Sequence, residues 1–239
     1  ADGSYQAEVP NALPDGRYSV EAVVSDKAGN RAEARDDNNG KGNVIDTTAP
    51  VITVDAPDNT SDNTPLISGT TDAPAGSIVS ITVTDSQGSV QTVSASVGAD
   101  GRYSVEVPKA LAEGRYTAEA AVKDPAGNEG KASDNGSVDT TAAITVEAPD
   151  LSNDNTPTLT GTTTDVEEGQ TVTLTVTDSR GGSQVVTATV QADGSYQAEV
   201  PNALPDGRYS VEAVVSDKAG NRAEARDDNN GKGNVIDTT

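Results

Sequence analysis

The sequence predicts an all-β protein made of antiparallel β-sandwiches repeated in tandem and arranged end to end as a rod. Three observations carry this reading. Apolar residues alternate in short runs, as in Tyr103-Ser104-Val105-Glu106-Val107 and Val172-Thr173-Leu174-Thr175-Val176, and period-two alternation over a few residues marks a half-buried strand. No comparable stretch with a 3.6-residue period occurs. Residues 1–48 recur without change as residues 192–239, and Ala99–Asn128 is a diverged copy of the start of the same block. The repeat length, about 90–100 residues with room for seven strands, is that of a sandwich and exceeds the ~20–50 residues of a solenoid unit.

The elements follow from these repeats. Ile52-Thr53-Val54-Asp55-Ala56-Pro57 matches Ile144-Thr145-Val146-Glu147-Ala148-Pro149, and Asp62-Asn63-Thr64-Pro65 matches Asp154-Asn155-Thr156-Pro157. Complete copies therefore run over 49–141 and 142–239, and 1–48 is the C-terminal half of another. In the copy at 49–141 we place strand A at 51–55, A′ at 66–70, B at 78–84, C at 90–97, E at 102–107, F at 115–123 and G at 131–139. Gly98–Gly101 and Ala112–Gly114 form turns, with Gly supplying positive φ, and Asp124-Pro125-Ala126-Gly127-Asn128 is the F–G hairpin loop. The expected inward set is Ile52, Val54, Val79, Ile81, Val83, Val93, Val97, Tyr103, Val105, Tyr116 and Val122, a thin aliphatic core. Tyr18, Tyr116 and Tyr209, each in Gly-Arg-Tyr at the start of strand F, are expected to hydrogen-bond back to the preceding corner as in the sandwich tyrosine corner. Stacking on a sugar or base is the weaker reading, because periodic aromatics usually belong to the core.

Composition limits what such a protein does. Of 239 residues, 16 are Lys or Arg and 38 are Asp or Glu, giving −22, and Cys, His, Met, Trp and Phe are absent. Disulfides, Cys/His metal sites and His-dependent triads each lack a required atom. The charge repels phosphate backbones and anionic headgroups, so neither nucleic acid nor membrane is an expected partner. No apolar run nears the roughly 20 residues of a membrane span, and residues 1–48 hold no basic-then-apolar signal segment. A two-carboxylate glycosidase needs a unique acidic pair, whereas these acids recur from copy to copy, so no enzyme is expected.

The acids concentrate at predicted strand ends. The A–A′ loops hold Asp58 and Asp62, then Asp150 and Asp154; the B–C turns hold Asp85 and Asp178; the F–G loops hold Asp124 with Asn128, and Asp217 with Asn221; the E–F corners hold Asp15 and Glu113; and the copies exit through Asp46 and Asp139. If the B–C and F–G loops share one end of a sandwich and the exit strand lies at the other, Asp46 approaches Asp85, Asp124 and Asn128, with Asp15 nearby. Asp139 likewise approaches Asp178, Asp217 and Asn221, with Glu113 nearby. Carboxylates converging without Lys or Arg repel one another, and a hard divalent cation on oxygen-only ligands, Ca²⁺ before Mg²⁺ or zinc, removes the repulsion. The same residue types also serve turns and solubility, and neither the full EF-hand pattern nor the Gly-rich calcium nonapeptide is present.

Asp-Thr-Thr-Ala-Pro at 46–50, Asp-Asn-Thr-Pro at 62–65, and Val-x-Asp-x-Ala-Gly-Asn at 24–30, 122–128 and 215–221 resemble bacterial Ig-like (BIg) tandem repeats. Such repeats form the extender regions of giant calcium-dependent RTX and biofilm-associated adhesins exported by type I secretion. The resemblance spans the whole chain. It implies a rod of sandwiches on the bacterial cell surface, extracellular, with neighbouring repeats as partners and Ca²⁺ at their junctions. It also implies a distal ligand-binding domain for adhesion, whose ligand this region does not contact. The copies depart from one another at Arg226–Gly233, where the preceding copy has only Ser133–Gly136, and at Ala142-Ala143, where 49–50 read Ala-Pro. The rival reading, a module that itself grips carbohydrate or a host protein, predicts one copy with loops rich in exposed aromatics. Only Arg226–Gly233 and its twin Arg35–Gly42 differ enough to be candidates. The half copy 1–48, with strands E, F and G but no A, B or C, has open edges; the expectation is that it is ordered only when paired with another chain or a crystal neighbour, or that further N-terminal residues precede it.

Overall fold

The computed structural model describes residues 3–239, so the first two residues of the half copy 1–48 lie outside it. Every regular element is a strand. In the half copy these are β1 (Gly16–Tyr18), β2 (Val20–Ser25), β3 (Arg31–Asp36) and β4 (Asn43–Ile45). The first complete copy holds β5 (Leu66–Thr70), β6 (Ile78–Thr84), β7 (Val90–Ser96), β8 (Arg102–Glu106), β9 (Gly114–Lys123) and β10 (Glu129–Val138). The second holds β11 (Ala143–Ile144), β12 (Leu151–Ser152), β13 (Thr158–Thr164), β14 (Thr171–Asp178), β15 (Ser183–Thr189), β16 (Ser195–Glu199), β17 (Gly207–Ser216), β18 (Arg222–Asp227) and β19 (Asn234–Ile236).

Each complete copy is a two-sheet sandwich. In the first, one sheet runs β10-β9-β6-β7 and the other pairs β5 with β8; the strand expected at 51–55 is reduced to isolated bridges, Ile52 to Thr71 and Asp55 to Ser68. The second repeats this as β19-β17-β14-β15, with β18 also on β17, against β11-β13-β16. The alternation decides which face is inward: Val79, Ile81 and Val83 on β6, and Val172, Leu174 and Val176 on β14, are buried. Eight of the eleven expected core residues are buried, and Val54, Val93 and Val105 pack partly buried against them. Ile67, Val107, Leu111 and Val138 complete that core. Each complete copy closes on its own core, and among the described residues the two share no buried cluster.

Pairing corrects the assignment of strands. β5 pairs with β8, and β6 with β9. The strand read as A′ is therefore the second strand of the sandwich, and the one read as B is the third. Because β6 is antiparallel to β9, with Thr84 opposite Thr117 and Val79 opposite Val122, the β6–β7 turn with Asp85 lies at the end where β9 starts. The F–G loop lies at the other end. The segment at the F–G end is instead the β5–β6 connection, 71–77, and its counterpart 165–170.

Tyr116 and Tyr209 are buried as expected and Tyr18 is half-buried, but the partners differ from the corner arrangement. Tyr116 and Tyr209 donate to the carbonyls of Pro57 and Pro149 at 3.0 and 2.9 Å, tying β9 and β17 to the opening segment of each copy rather than to the preceding turn. Residues 3–48 contain no counterpart of Pro149 for Tyr18. Tyr103 and Tyr196 donate to the Thr53 and Thr145 carbonyls. Both lie over glycine: a Cβ at Gly161 would stand 2.1 Å from the Thr145 oxygen and 2.4 Å from the Tyr196 Oη, so no side chain fits there.

The half copy forms two separate ladders, β1 with β4 and β2 with β3. The expected strand over 4–8 is not formed, although the same residues at 195–199 make β16. The difference is context: β16 is paired to β13.

Candidate functional site

The junctions between copies are where the acids meet. At the second junction the chain leaves β10 through Asp139-Thr140-Thr141 and enters β11. Turn chemistry shapes both sides. In the loop after β17, Asp217 accepts the Asn221 backbone N–H at 2.8 Å and its side-chain amide at 2.8 Å, closing the hairpin as an Asx-type turn. The same Asn221 amide donates across the junction to the Asp139 carbonyl at 2.7 Å and lies 3.4 Å from Asp139 Oδ1. Glu113, at the start of β9, accepts the Thr140 N–H at 2.7 Å and its hydroxyl at 2.6 Å. The Thr141 hydroxyl donates to Asp165 at 3.3 Å, and Glu167 caps the Lys218 N–H at 3.0 Å. Both linker threonines are thus held, one by each neighbour.

The electrostatics are one-sided. Partial burial holds the Asp139 carboxyl above its usual range, and the charges of Asp217, Glu113 and Glu167 push it further. None of these carboxylates is ion-paired among the described residues, whose ion pairs are short-range surface contacts such as Lys131–Glu129. A carboxyl whose folded value is raised opposes the folded arrangement once it ionises, so at neutral pH this end stores repulsion.

The first junction has the same frame. The Asn128 amide donates to the Asp46 carbonyl and to Asp124 Oδ2, both at 2.9 Å, and Asn128 bonding holds Asp124 below the usual carboxylate range. Asp15 accepts both linker hydroxyls, Thr47 at 2.8 Å and Thr48 at 3.0 Å, which lowers its pKa. Asp72 accepts the Val51 N–H at 2.7 Å. The positions of Glu167-Glu168 are filled by Pro74-Ala75, so this junction carries fewer charges.

Of the residues expected to converge, Asp46 with Asp124 and Asn128, and Asp139 with Asp217 and Asn221, are brought together, with Asp15 and Glu113 holding the linkers. Asp85 and Asp178 are not part of those groups. Each caps its own turn at the opposite end of its copy, Asp85 through the Ser89 N–H at 2.8 Å and Asp178 through the Gly182 N–H at 2.8 Å. Asp62 and Asp154 likewise cap turns, through Thr64 and Thr156. Burial raises the Tyr116 and Tyr209 phenols, and the nearby charges of Asp58 on the first and of Asp227 and Asp150 on the second raise them further, which places Asp58 and Asp150 at the exit ends. Asp165 and Glu167 were missed by sequence reasoning. Their signal was position in the 165–170 loop, whose end of the sandwich depends on strand pairing rather than alternation.

Among the described residues no three acidic side chains stand close enough to enclose an ion as placed. The donor chemistry nonetheless fits a hard cation: the set is oxygen-only, contains Asn221 and two backbone-anchored linker turns, and its charges are unpaired.

Within the Arg226–Gly233 loop, residues 228–233 stand where β10 has only Asn135, an excursion carrying Asn229 and Asn230 at positive φ. It closes on itself through Gly233 N–H to the Asp228 carbonyl at 2.7 Å and presents no aromatic side chain.

Comparison with known proteins bears on the whole chain. A family model described as "Bacterial Ig-like domain" matches residues 44–140 and 145–230, and a second model of the same description matches 2–38. A tetra-tandem repeat from the extending region of a large adhesion protein is 37% identical over 95% of this chain and 58% of that one, with a TM-score of 0.42. A structure from a 1.5-MDa bacterial ice-binding adhesin is 26% identical, covering 87% and 71%, at TM-score 0.40. A Ca²⁺-stabilised adhesin of an Antarctic bacterium is 26% identical, covering 92% and 57%, at TM-score 0.41. The chain thus spans less than two thirds of the first of these. Among curated proteins none matches. Modules of this kind are structural rather than catalytic, and the chain belongs to the bacterial Ig-like domain family.

Proposed function

We propose that this chain is an extender segment of a bacterial cell-surface adhesin, in which Ca²⁺ at the junctions fixes the angle between neighbouring repeats and so projects a distal ligand-binding domain. The observation that carries the reading is the second junction: Asp139 and Glu113 from one copy face Asp217 and Glu167 from the next without a counter-charge. Asn221 already bridges the two copies. A cation shared by these carboxylates would supply the missing positive charge, and its binding free energy would be available only in the docked arrangement, which it therefore stabilises by linkage. Asp139, Asp217, Glu113 and Glu167 are the residues that would hold it, with Asp46 and Asp124 in the corresponding role at the first junction. Adhesion and biofilm formation by way of type I secretion, with the protein outside the cell, complete the reading.

Calcium titration of the melting temperature tests it. Saturating Ca²⁺ raises Tm by about 5 °C or more over chelator, and Asp217→Asn removes most of that rise. An unchanged Tm returns these acids to turn-forming and solubility roles.

A further inference from the structure

The larger sheet of each complete copy ends on one side at an open strand, β7 in the first and β15 in the second. The Asp85 N–H bonds the Ser89 carbonyl and the Val97 N–H bonds the Ser77 carbonyl, so in the ladder between them residues 91, 93 and 95 bond to β6. An antiparallel pair alternates bonded and non-bonded positions. The N–H and C=O groups of Val90, Thr92, Ser94 and Ser96 therefore point away from β6, and among the described residues nothing pairs with them. On β15 the bonds Asp178 to Gly182 and Val190 to Gln170 leave 183, 185, 187 and 189 turned outward in the same way. There only the Thr189 carbonyl is taken, by the Gln191 amide at 3.0 Å. Open edges are usually blunted by Lys, Pro or a bulge. These have none: both ladders run unbroken, and neither edge strand holds a Pro or a charge. The absence of charge extends beyond the strands. Residues 73–99 hold one charged side chain, Asp85, and residues 169–192 hold Asp178 and Arg180, which cancel. The other edges differ, since β8 and β16 end in Glu106 and Glu199, and β10 and β19 are paired on their outer side by Thr60 and β12.

We propose that the β7 and β15 edges are docking strips for a second copy of this chain, which adds its own edge strand antiparallel so that two chains lie side by side. Charge and backbone geometry both select this occupant. A partner of net charge −22 is repelled where carboxylates meet, and an uncharged strip lets two copies approach to the ~4.8 Å spacing of paired strands. A cationic partner would be drawn to the acidic junctions instead. The geometry is self-complementary. With two β7 strands antiparallel, Val90 stands opposite Ser96 and Thr92 opposite Ser94, so each outward N–H meets an outward carbonyl. Two β15 strands put Val185 opposite Thr187, and β7 against β15 puts Thr92 opposite Thr187 and Ser94 opposite Val185. Every side chain that meets is small and uncharged, and Val90 and Val185, 61% and 59% exposed, lose water in the seam. One such seam is small beside the ~1,200 Å² at which stable interfaces begin, so a single contact is weak. Its recurrence in both complete copies lets contacts add through effective concentration. The strip lies within the repeats and needs no junction cation.

Analytical ultracentrifugation of the intact chain, with amide exchange resolved by residue, tests this. Self-association is expected with a Kd on the order of 100 µM. The amides of 90, 92, 94 and 96, and of 183, 185, 187 and 189, then exchange at least about twofold more slowly at ~1 mM chain than at ~10 µM. Those of 91, 93 and 95, already bonded to β6, stay unchanged. Ser94→Lys with Thr187→Lys, both on exposed side chains, brings like charges together across the seam and raises Kd at least about tenfold. These substitutions also reduce the net charge, so general repulsion alone predicts the opposite. Thr92→Pro with Val185→Pro removes outward N–H groups at no change of charge and weakens association likewise. A monomer at ~1 mM, or association that Ser94→Lys/Thr187→Lys leaves unchanged, overturns the proposal. So does a dimer whose edge amides exchange as they do in the monomer, since its contact then lies on another surface.

Discussion

Asn221 shows how much one side chain does in this molecule: its amide closes the loop after β17 on Asp217 and reaches the Asp139 carbonyl of the preceding repeat. Asn221→Ala removes both bonds and leaves the hairpin core intact, so it should cost about 1–2 kcal/mol in the third repeat, read by urea denaturation. The buried phenols set a different dependence. Burial pushes Tyr103, Tyr196 and Tyr209 from 10.0 up to about 12, and Tyr116 is raised as well. A group whose folded pKa is raised contributes stability that is present below the unfolded value and lost as pH climbs through the folded one. The urea midpoint should therefore hold steady up to pH ~10 and fall between about 10 and 12. Tyr103→Phe with Tyr196→Phe should lower stability at pH 7 by about 1–3 kcal/mol per site and flatten that alkaline fall. Sequence gave the junction pairs Asp46/Asn128 and Asp139/Asn221 correctly as neighbours. Asp85 and Asp178 it misplaced, because a turn-favouring Asp carries no label saying which end of the sandwich its turn occupies.

The limits of the strands from 66 to 139 were legible to within a residue or two, since alternation with Gly and Pro punctuation sets them locally. The strands expected at 51–55 and 4–8 are not formed. Strand order was not. β5 and β6 read alike in alternation, and only their pairing with β8 and β9 separates the sheets. The half copy makes the dependence on context explicit: residues 4–8 and 195–199 are the same five residues, and only the latter are a strand, because propensity in a strand reflects its neighbours more than its backbone. Identical positions therefore make a matched experiment. Val215→Ala should cost about 2 kcal/mol by opening a buried site, whereas Val24→Ala, on a side chain 67% exposed, should change stability by less than about 0.5 kcal/mol. Gly161→Ala should destabilise the third repeat by about 2 kcal/mol or more, as the new methyl has no room beneath Tyr196. Chemical denaturation of each variant, with Tyr fluorescence as the probe, separates these outcomes.

For the whole molecule, a net charge of −22 is distributed so that part of it sits where repeats meet. Each complete repeat has its own closed core, and among the described residues no buried apolar cluster crosses a junction. The relative placement of repeats consequently rests on a few polar bonds and on how the junction charges are met. Polar bonds of this kind contribute about 1 kcal/mol each, too little to hold a fixed angle against the repulsion around Asp139. The two junctions also differ, since Glu167-Glu168 stands where the first has Pro74-Ala75, so the second should respond more to cation. Small-angle scattering of the intact chain measures this most directly. With Ca²⁺ the maximum dimension should be longer and the distance distribution sharper than with chelator, and Asp139→Asn with Asp217→Asn should abolish the difference. The same maximum dimension in Ca²⁺ and in chelator would contradict a cation-set junction.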